Sequence, residues 1–418
     1  MRDAFGHSAR TLAKRNAPGN RARHRAEKIG IAVRLTGWRW SMETAPERPP
    51  RGAEAFTVND DEGVQAQAAI LLGLGAQLRG DRQKVQARSA AVLQPTAILM
   101  ADEMAEFPIP RVAPATKRLT TAEVDVISRG KLRAPARAAI ERPDVLADLA
   151  DLTYRTRSVS SAATLADAAL NHPHPLVQVA AANAALAVTA EPSRPLAILV
   201  EHTRSEDELV RDVAATSLGR YMPEHPALRA LVGAGMDEPL GSPGRTSMLI
   251  HGTWARNNAW YQPPNGDFWS YVDHNVRNDL YSQPDFYRWS GGYSDGARDL
   301  AADELATWIN TKQENGITLF THSHGGSVAM LASFRGVTFD ELVLLSCPVH
   351  PAKYNVNFSA VRKVVSIRVK VDLVLLADGS GSRFTDARYN EHVLPLFFNH
   401  SKTHDPATWT RFNIPAML

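Results

Sequence analysis

The sequence predicts an α/β fold, with a mostly parallel sheet of about six strands preceded by an all-α region. Three observations predict it. The chain has 418 residues, more than one hydrophobic core ordinarily serves, so two domains are expected. Residues 60–235 are rich in Ala and Leu and poor in aromatics, with apolar residues at helical spacing, as in VQAQAAILLGLGAQL (64–78). Beyond Gly241-Ser242-Pro243-Gly244, short apolar runs alternate with helical patterns, as in parallel sheets covered on both faces.

Taken in order, residues 1–55 are a basic head, 56–240 an α-helical domain and 241–418 the α/β domain. The first 51 residues carry a net charge of +8 within a total of +3, which leaves the remainder at −5. A mildly acidic body argues against nucleic-acid binding by the folded part. The head reads as disordered on composition, and a nucleic-acid or anionic-lipid tether is its functional reading. No apolar run is long enough for a signal peptide or a membrane span, and Cys347 is the single cysteine. A reducing, cytoplasmic location is therefore expected. Cys347 ends the apolar run LVLLSC and reads as a buried small hydrophobe rather than a nucleophile.

Within the helical region, prolines recur through the stretch, the rhythm of short helices and short loops. Leu176-Val177-Gln178 and Leu209-Val210-Arg211 each open an Ala-rich helix, 33 residues apart. TLADAAL (164–170) and PLAILV (195–200) precede them. This echo resembles a pair of HEAT-like repeats around 160–235, which would leave a face for a protein partner. An irregular helical bundle fits the same pattern. HPHP (172–175) reads as an inter-helix turn, not a metal site.

The expected strands are SMLI (247–250), FYRW (286–289), ITLFT (317–321), ELVLLS (341–346), VVSIRV (364–369) and VLPLFF (393–398). Helices are expected at 297–310 and 327–334. In such sheets chemistry collects at the carboxyl ends of the strands.

LFTHSHGGSV (319–328) sits at one of those ends. Thr321-His322-Ser323-His324 could begin a T-H-x-H-x-D-H metal run, but Gly326 and Ser327 stand where the Asp and the last His would be. No metal and no cofactor are expected. The other reading is a nucleophile elbow, in which Ser323 sits on a sharp strand-to-helix turn. Gly325 fits the far small position, and Thr321 replaces the near glycine. The elbow demands further parts. His251-Gly252 follows the first strand, so the N–H of Thr253 or Trp254 would serve the oxyanion hole beside that of His324. Asp372, with Asp378 as rival, supplies a carboxylate after a later strand. His400, with His404 as rival, follows the last strand. The order Ser, Asp, His is the one this architecture uses.

HGTWA, WSGG (289–292), THSHGG (321–326), DELVLLSCPV (340–349), VDLVLLADG (371–379) and NHSKTHDPATW (399–409) together resemble a bacterial α/β-hydrolase, an esterase or lipase-like serine hydrolase. The resemblance spans roughly residues 245–412. It implies Ser323 as nucleophile, His400 as general base and Asp372 as its orienting residue, acting on a small acyl ester or thioester. The stretch 254–293 holds eleven of the thirty aromatics and reads either as an acyl-binding wall, with Trp254, Trp260 and Trp289 as substrate contacts, or as a satellite core. Two other readings stay open: a non-catalytic helical-repeat interaction protein with a degenerate hydrolase domain, and a metal-dependent hydrolase.

Overall fold

Small residues let the helices of the first half approach closely, and local caps fix where each begins. The structure, a computed structural model, describes residue 56 and residues 61–85, 143–156, 159–189, 192–234, 247–312, 316–380 and 383–418. The whole basic head and the Gly241–Gly244 boundary lie outside them. The described residues all belong to one compact unit, Pro46–Leu418.

Among the described residues seven helices come first: α1 (Asp61–Val85), α2 (Pro143–Thr156), α3 (Val159–Ala169), α4 (Pro175–Leu186), α5 (Ser193–His202), α6 (Glu208–Tyr221) and the single turn α7 (Pro226–Arg229). The HPHP turn acts through its side chains. His172 Nδ1 accepts from the His174 N–H at 3.0 Å, and His174 Nδ1 accepts from the Leu176 N–H at 3.1 Å, capping α4. Pro175 occupies the first turn, where a missing N–H costs nothing. Asp207 caps α6 through the Val210 N–H at 3.1 Å. Inside, Asn183 on α4 donates to Ser217 Oγ on α6 at 2.8 Å, so the buried amide is matched by a partner rather than stranded.

The sheet follows: β1 (Ser247–Ile250), α8 (Asp267–Asn275), α9 (Asp295–Lys312), β2 (Ile317–His322), α10 (His324–Ala332), β3 (Phe339–Leu345), β4 (Val361–Asp372), α11 (Leu373–Asp378), β5 (Tyr389–Phe398) and α12 (Pro406–Arg411). Five strands pair in the order β1-β2-β3-β4-β5, all parallel. Side chains alternate between two cores, as the period of two requires. Met248, Ile250, Leu319 and Leu342 pack with Leu305 and Trp308 of α9 and Val328 of α10. Leu249, Phe320, Val343 and Val365 pack with Phe268 and Trp269 of α8 and Trp409 of α12. A third core joins the early helices to Val371, Leu373, Val374, Ala377 and Phe398, at the ends of β4 and β5. The helices therefore sit against the end of the sheet where β4 and β5 finish.

The expected sixth strand, FYRW, does not form. Trp289 is fully buried and its indole N–H donates to His251 O at 2.8 Å. Arg256 donates to the carbonyls of Arg288 and Trp289 at 2.8 and 3.1 Å. A side chain thus satisfies backbone groups that a strand would have paired, and the β-prone letters were reporting burial instead.

Thr321, the residue that departs from the elbow pattern, lies fully buried in β2 opposite Ile250 and Leu344. Its hydroxyl donates to Val343 O across to β3 at 3.0 Å. The extra bulk is tied to the sheet and away from the turn. Thr321→Val, close in shape but without the donor, is expected to lower stability by about 1 kcal/mol in urea unfolding, with no change in m-value. A stability equal to the parent's would show that the bond contributes nothing.

Candidate functional site

Because the strands lie in chain order and run the same way, the loops leaving β1, β2, β4 and β5 open along one edge of the sheet. Ser323 follows β2 directly, at φ 52° and ψ −133°, and α10 starts at the next residue. A serine held at positive φ costs roughly 1–3 kcal/mol and persists only where the surroundings fix it. Here the Ser323 N–H donates to Leu345 O at 2.8 Å, and the β1 loop packs against the turn. A Cβ on Gly325 would fall 2.5 Å from His251 O, so no larger residue fits that approach. A Cβ on Gly252 would fall 2.7 Å from Ser323 Cβ. Gly252→Ala is accordingly expected to displace the serine and lower kcat/KM for a small ester by about 10²-fold, with native circular dichroism retained. Unchanged kinetics would mean that the β1 loop does not set the serine's position.

Asp372 ends β4 and caps α11. Its Oδ1 accepts from the N–H groups of Val374 and Leu375 at 3.0 and 3.2 Å. That leaves Oδ2 for His400, whose Nδ1–H donates to it at 2.7 Å. The register Asp372↔Phe398 sets this pairing, because His400 lies two residues beyond its strand partner. Asn399 opens the 3₁₀ turn His400–His404 by accepting from the Ser401 N–H at 3.0 Å. Burial opposes a charged His400, but the charge and hydrogen bond of Asp372 outweigh it and raise the imidazole above its ordinary value. The far nitrogen, Nε2, is buried with no hydrogen-bond partner. Ser323 and His400 line one cavity of about 260 Å³.

The rival residues lie elsewhere in the network. Asp378 accepts from Tyr293 OH at 2.5 Å and pairs with His324 Nε2 at 3.3 Å and His350 Nε2 at 2.5 Å. Burial works against its charge, yet the two imidazoles hold it well below the usual carboxylate range. Burial, with Arg298 nearby, lowers His324 to about 4, so it is neutral at pH 7. Its Nδ1 meets Ser327 Oγ at 3.0 Å, which fixes the ring on α10. His404 stacks on Trp260, ring centres 4.1 Å apart, and burial lowers it to about 3. His322 packs edge-on to Trp260 at 5.6 Å and 4.5 Å from the ring centres of His400 and His404. Cys347 is buried, and its thiol is pushed up to about 12 by that burial.

Two expected contacts are corrected. The Trp254 N–H donates to Gly291 O at 3.0 Å, and Trp254 itself turns at φ 65°. It is therefore taken, and Thr253 is the remaining oxyanion candidate on this loop. Trp289 is sealed behind His251 and does not line the cavity, whereas Trp254 and Trp260 do. The other aromatics of 254–293 mostly serve the cores, as Tyr261, Phe268 and Trp269 do under the sheet.

One wall was not foreseen. Glu208, Arg211 and Asp212, from helix α6 of the first half, line the same cavity as Ser323. No local motif marks them, since they read as ordinary polar positions on an amphipathic helix. The chain matches no protein-family model and no curated protein sequence.

Proposed function

We propose that the chain is a serine hydrolase that cleaves a small carboxylic ester or thioester through a covalent acyl-enzyme. The observation that carries this reading is the Asp372–His400 pair, whose unpartnered Nε2 shares a cavity with a serine held at positive φ. In this reading His400 Nε2 takes the proton of Ser323 as Oγ attacks the carbonyl carbon. Asp372 keeps the imidazole in the tautomer with Nδ1–H and stabilises the imidazolium that forms. The N–H groups of Thr253 and His324 face the developing oxyanion; that of His324 is free of the helix ladder because it is the first of α10. His400 then returns the proton to the leaving alkoxide or thiolate. Water, activated by the same imidazole, releases the acid and restores the serine. The ester substrate, the acyl-enzyme and the cytoplasmic setting are parts of the proposal. Among the described residues no helix is long and apolar enough to cross a membrane.

A cavity of about 260 Å³ favours short acyl groups. Para-nitrophenyl acetate is expected to give a burst of nitrophenolate equal to the enzyme concentration, followed by slower steady turnover, with the dodecanoate turned over poorly. No burst and no turnover by well-folded protein would sink the reading. The pH profile supplies a second check. The base works only when neutral, so activity should rise with pH through the raised value of His400. The acid limb of kcat/KM is expected to have its midpoint above the ordinary imidazole value of about 6.5. A limb centred near 4, typical of a carboxylate, would point to a different base.

A further inference from the structure

We propose that helix α6 forms a cation-selective subsite in the Ser323 cavity, in which Glu208 and Asp212 receive the ammonium group of a small cationic ester. The proposal rests on the hydrolase reading for the word ester, but the subsite stands on geometry of its own. Glu208 and Asp212 are four residues apart on one face of α6, and both line the cavity. Asp212 keeps about a quarter of its side-chain surface open, at 26%.

Like charges at that spacing repel unless something positive lies between them. Arg211 does this poorly. Its nitrogens stand 3.9 Å from Glu208 Oε1 and 3.8 Å from Asp212 Oδ1, beyond hydrogen-bond length, while another is directed to Ser205 O at 3.4 Å. With both carboxylates ionised the three side chains sum to one negative charge, and Asp212 in turn favours the charged form of His400 in the same cavity. Burial, helped by Glu208, pushes Asp212 up to about 7. A cation seated between the two carboxylates would favour the ionised form of both.

The rest of the cavity suits the same ligand. The indoles of Trp254 and Trp260 line it, and aromatic faces attract quaternary ammonium groups. His400 Nε2, on a side chain only 5% exposed, lines the cavity without a partner, which marks it as built to meet a ligand. The volume fits a molecule of choline-ester size and is small for a long acyl chain. The helical region would then select the substrate for the serine; its core is continuous with α11, directly after Asp372.

The test uses the full chain carrying Ser323→Ala, so that nothing turns over. Choline chloride, its uncharged isostere 3,3-dimethylbutanol and sodium acetate are titrated by calorimetry. Choline is expected to bind at least ten-fold more tightly than the isostere, with that preference lost in Glu208→Gln/Asp212→Asn. If the double variant loses its native circular dichroism, Asp212→Asn alone is used; the amide is isosteric with the carboxylate, and its Oδ1 approach to Arg211 is already long, at 3.8 Å. Equal binding of choline and isostere, or no choline binding, overturns the proposal. So does acetate binding that Arg211→Gln removes, which would make the wall an anion site. Fluorophosphonate labelling of the Ser323 parent is run in parallel. Labelling without choline preference sinks the subsite alone, and choline preference without labelling sinks the hydrolase reading alone.

Discussion

Ser323→Ala is expected to lower kcat toward a short acyl ester by about 10⁵-fold or more while the protein stays folded. In the proposed mechanism the loss is large because the substitution removes the atom that would form the acyl bond. What survives is binding and the two N–H donors, which give a small residual rate over water. The fold should tolerate the change. Ser323 Oγ anchors no other element, and the backbone bond from the Ser323 N–H to Leu345 O is kept. The strained φ of 52° is also kept, since alanine meets the same Cβ penalty as serine. Thermal unfolding is therefore expected within a few degrees of the parent. A variant that retains even a tenth of the parent's turnover would place the nucleophile elsewhere.

Asp372→Asn is expected to be almost as damaging, at about 10⁴-fold in kcat. The amide is the same shape, and its oxygen would keep the caps to Val374 and Leu375. At the other oxygen's place an NH₂ group would face His400 Nδ1, where a carboxylate now accepts a proton at 2.7 Å. The imidazole would then turn its lone pair towards the amide and its N–H towards Ser323, the wrong tautomer for a base. The raising effect on His400 would also be gone, so the acid limb of the residual activity should move to lower pH. Asp378→Asn is the matched control. It alters the His324, His350 and Tyr293 contacts but leaves the 2.7 Å pair alone. Asp378 raises His400 less than Asp372 does, so its limb should move less than that of Asp372→Asn. A larger kcat loss from Asp378→Asn than from Asp372→Asn would reverse the assignment.

What the sequence revealed about this site follows from how the site is made. Ser323, Asp372 and His400 each stand just past an apolar run of strand length, and strands that lie in chain order bring such positions together. The choice of Asp372 over Asp378 was not legible, because both follow the same strand. It turns on the cap of α11, which points Asp372 at His400 and leaves Asp378 on the helix's far end. Trp254 lines the cavity as expected, but its N–H is bonded to Gly291 O, a loop contact that letters do not encode. FYRW failed as a strand because Arg256, thirty-odd residues before it, took its carbonyls. The α6 wall lies more than a hundred residues from Ser323 in sequence, and only packing joins them.

The central claim is that Ser323 becomes covalently modified. It is tested most directly by treating the full chain with a fluorophosphonate and locating the adduct by peptide mass spectrometry. The account predicts one phosphonyl group per chain, on Ser323 in the peptide containing LFTHSHGGSV, and none in Ser323→Ala. A folded protein that takes up no label, or a label that stays on Ser323→Ala, would contradict it.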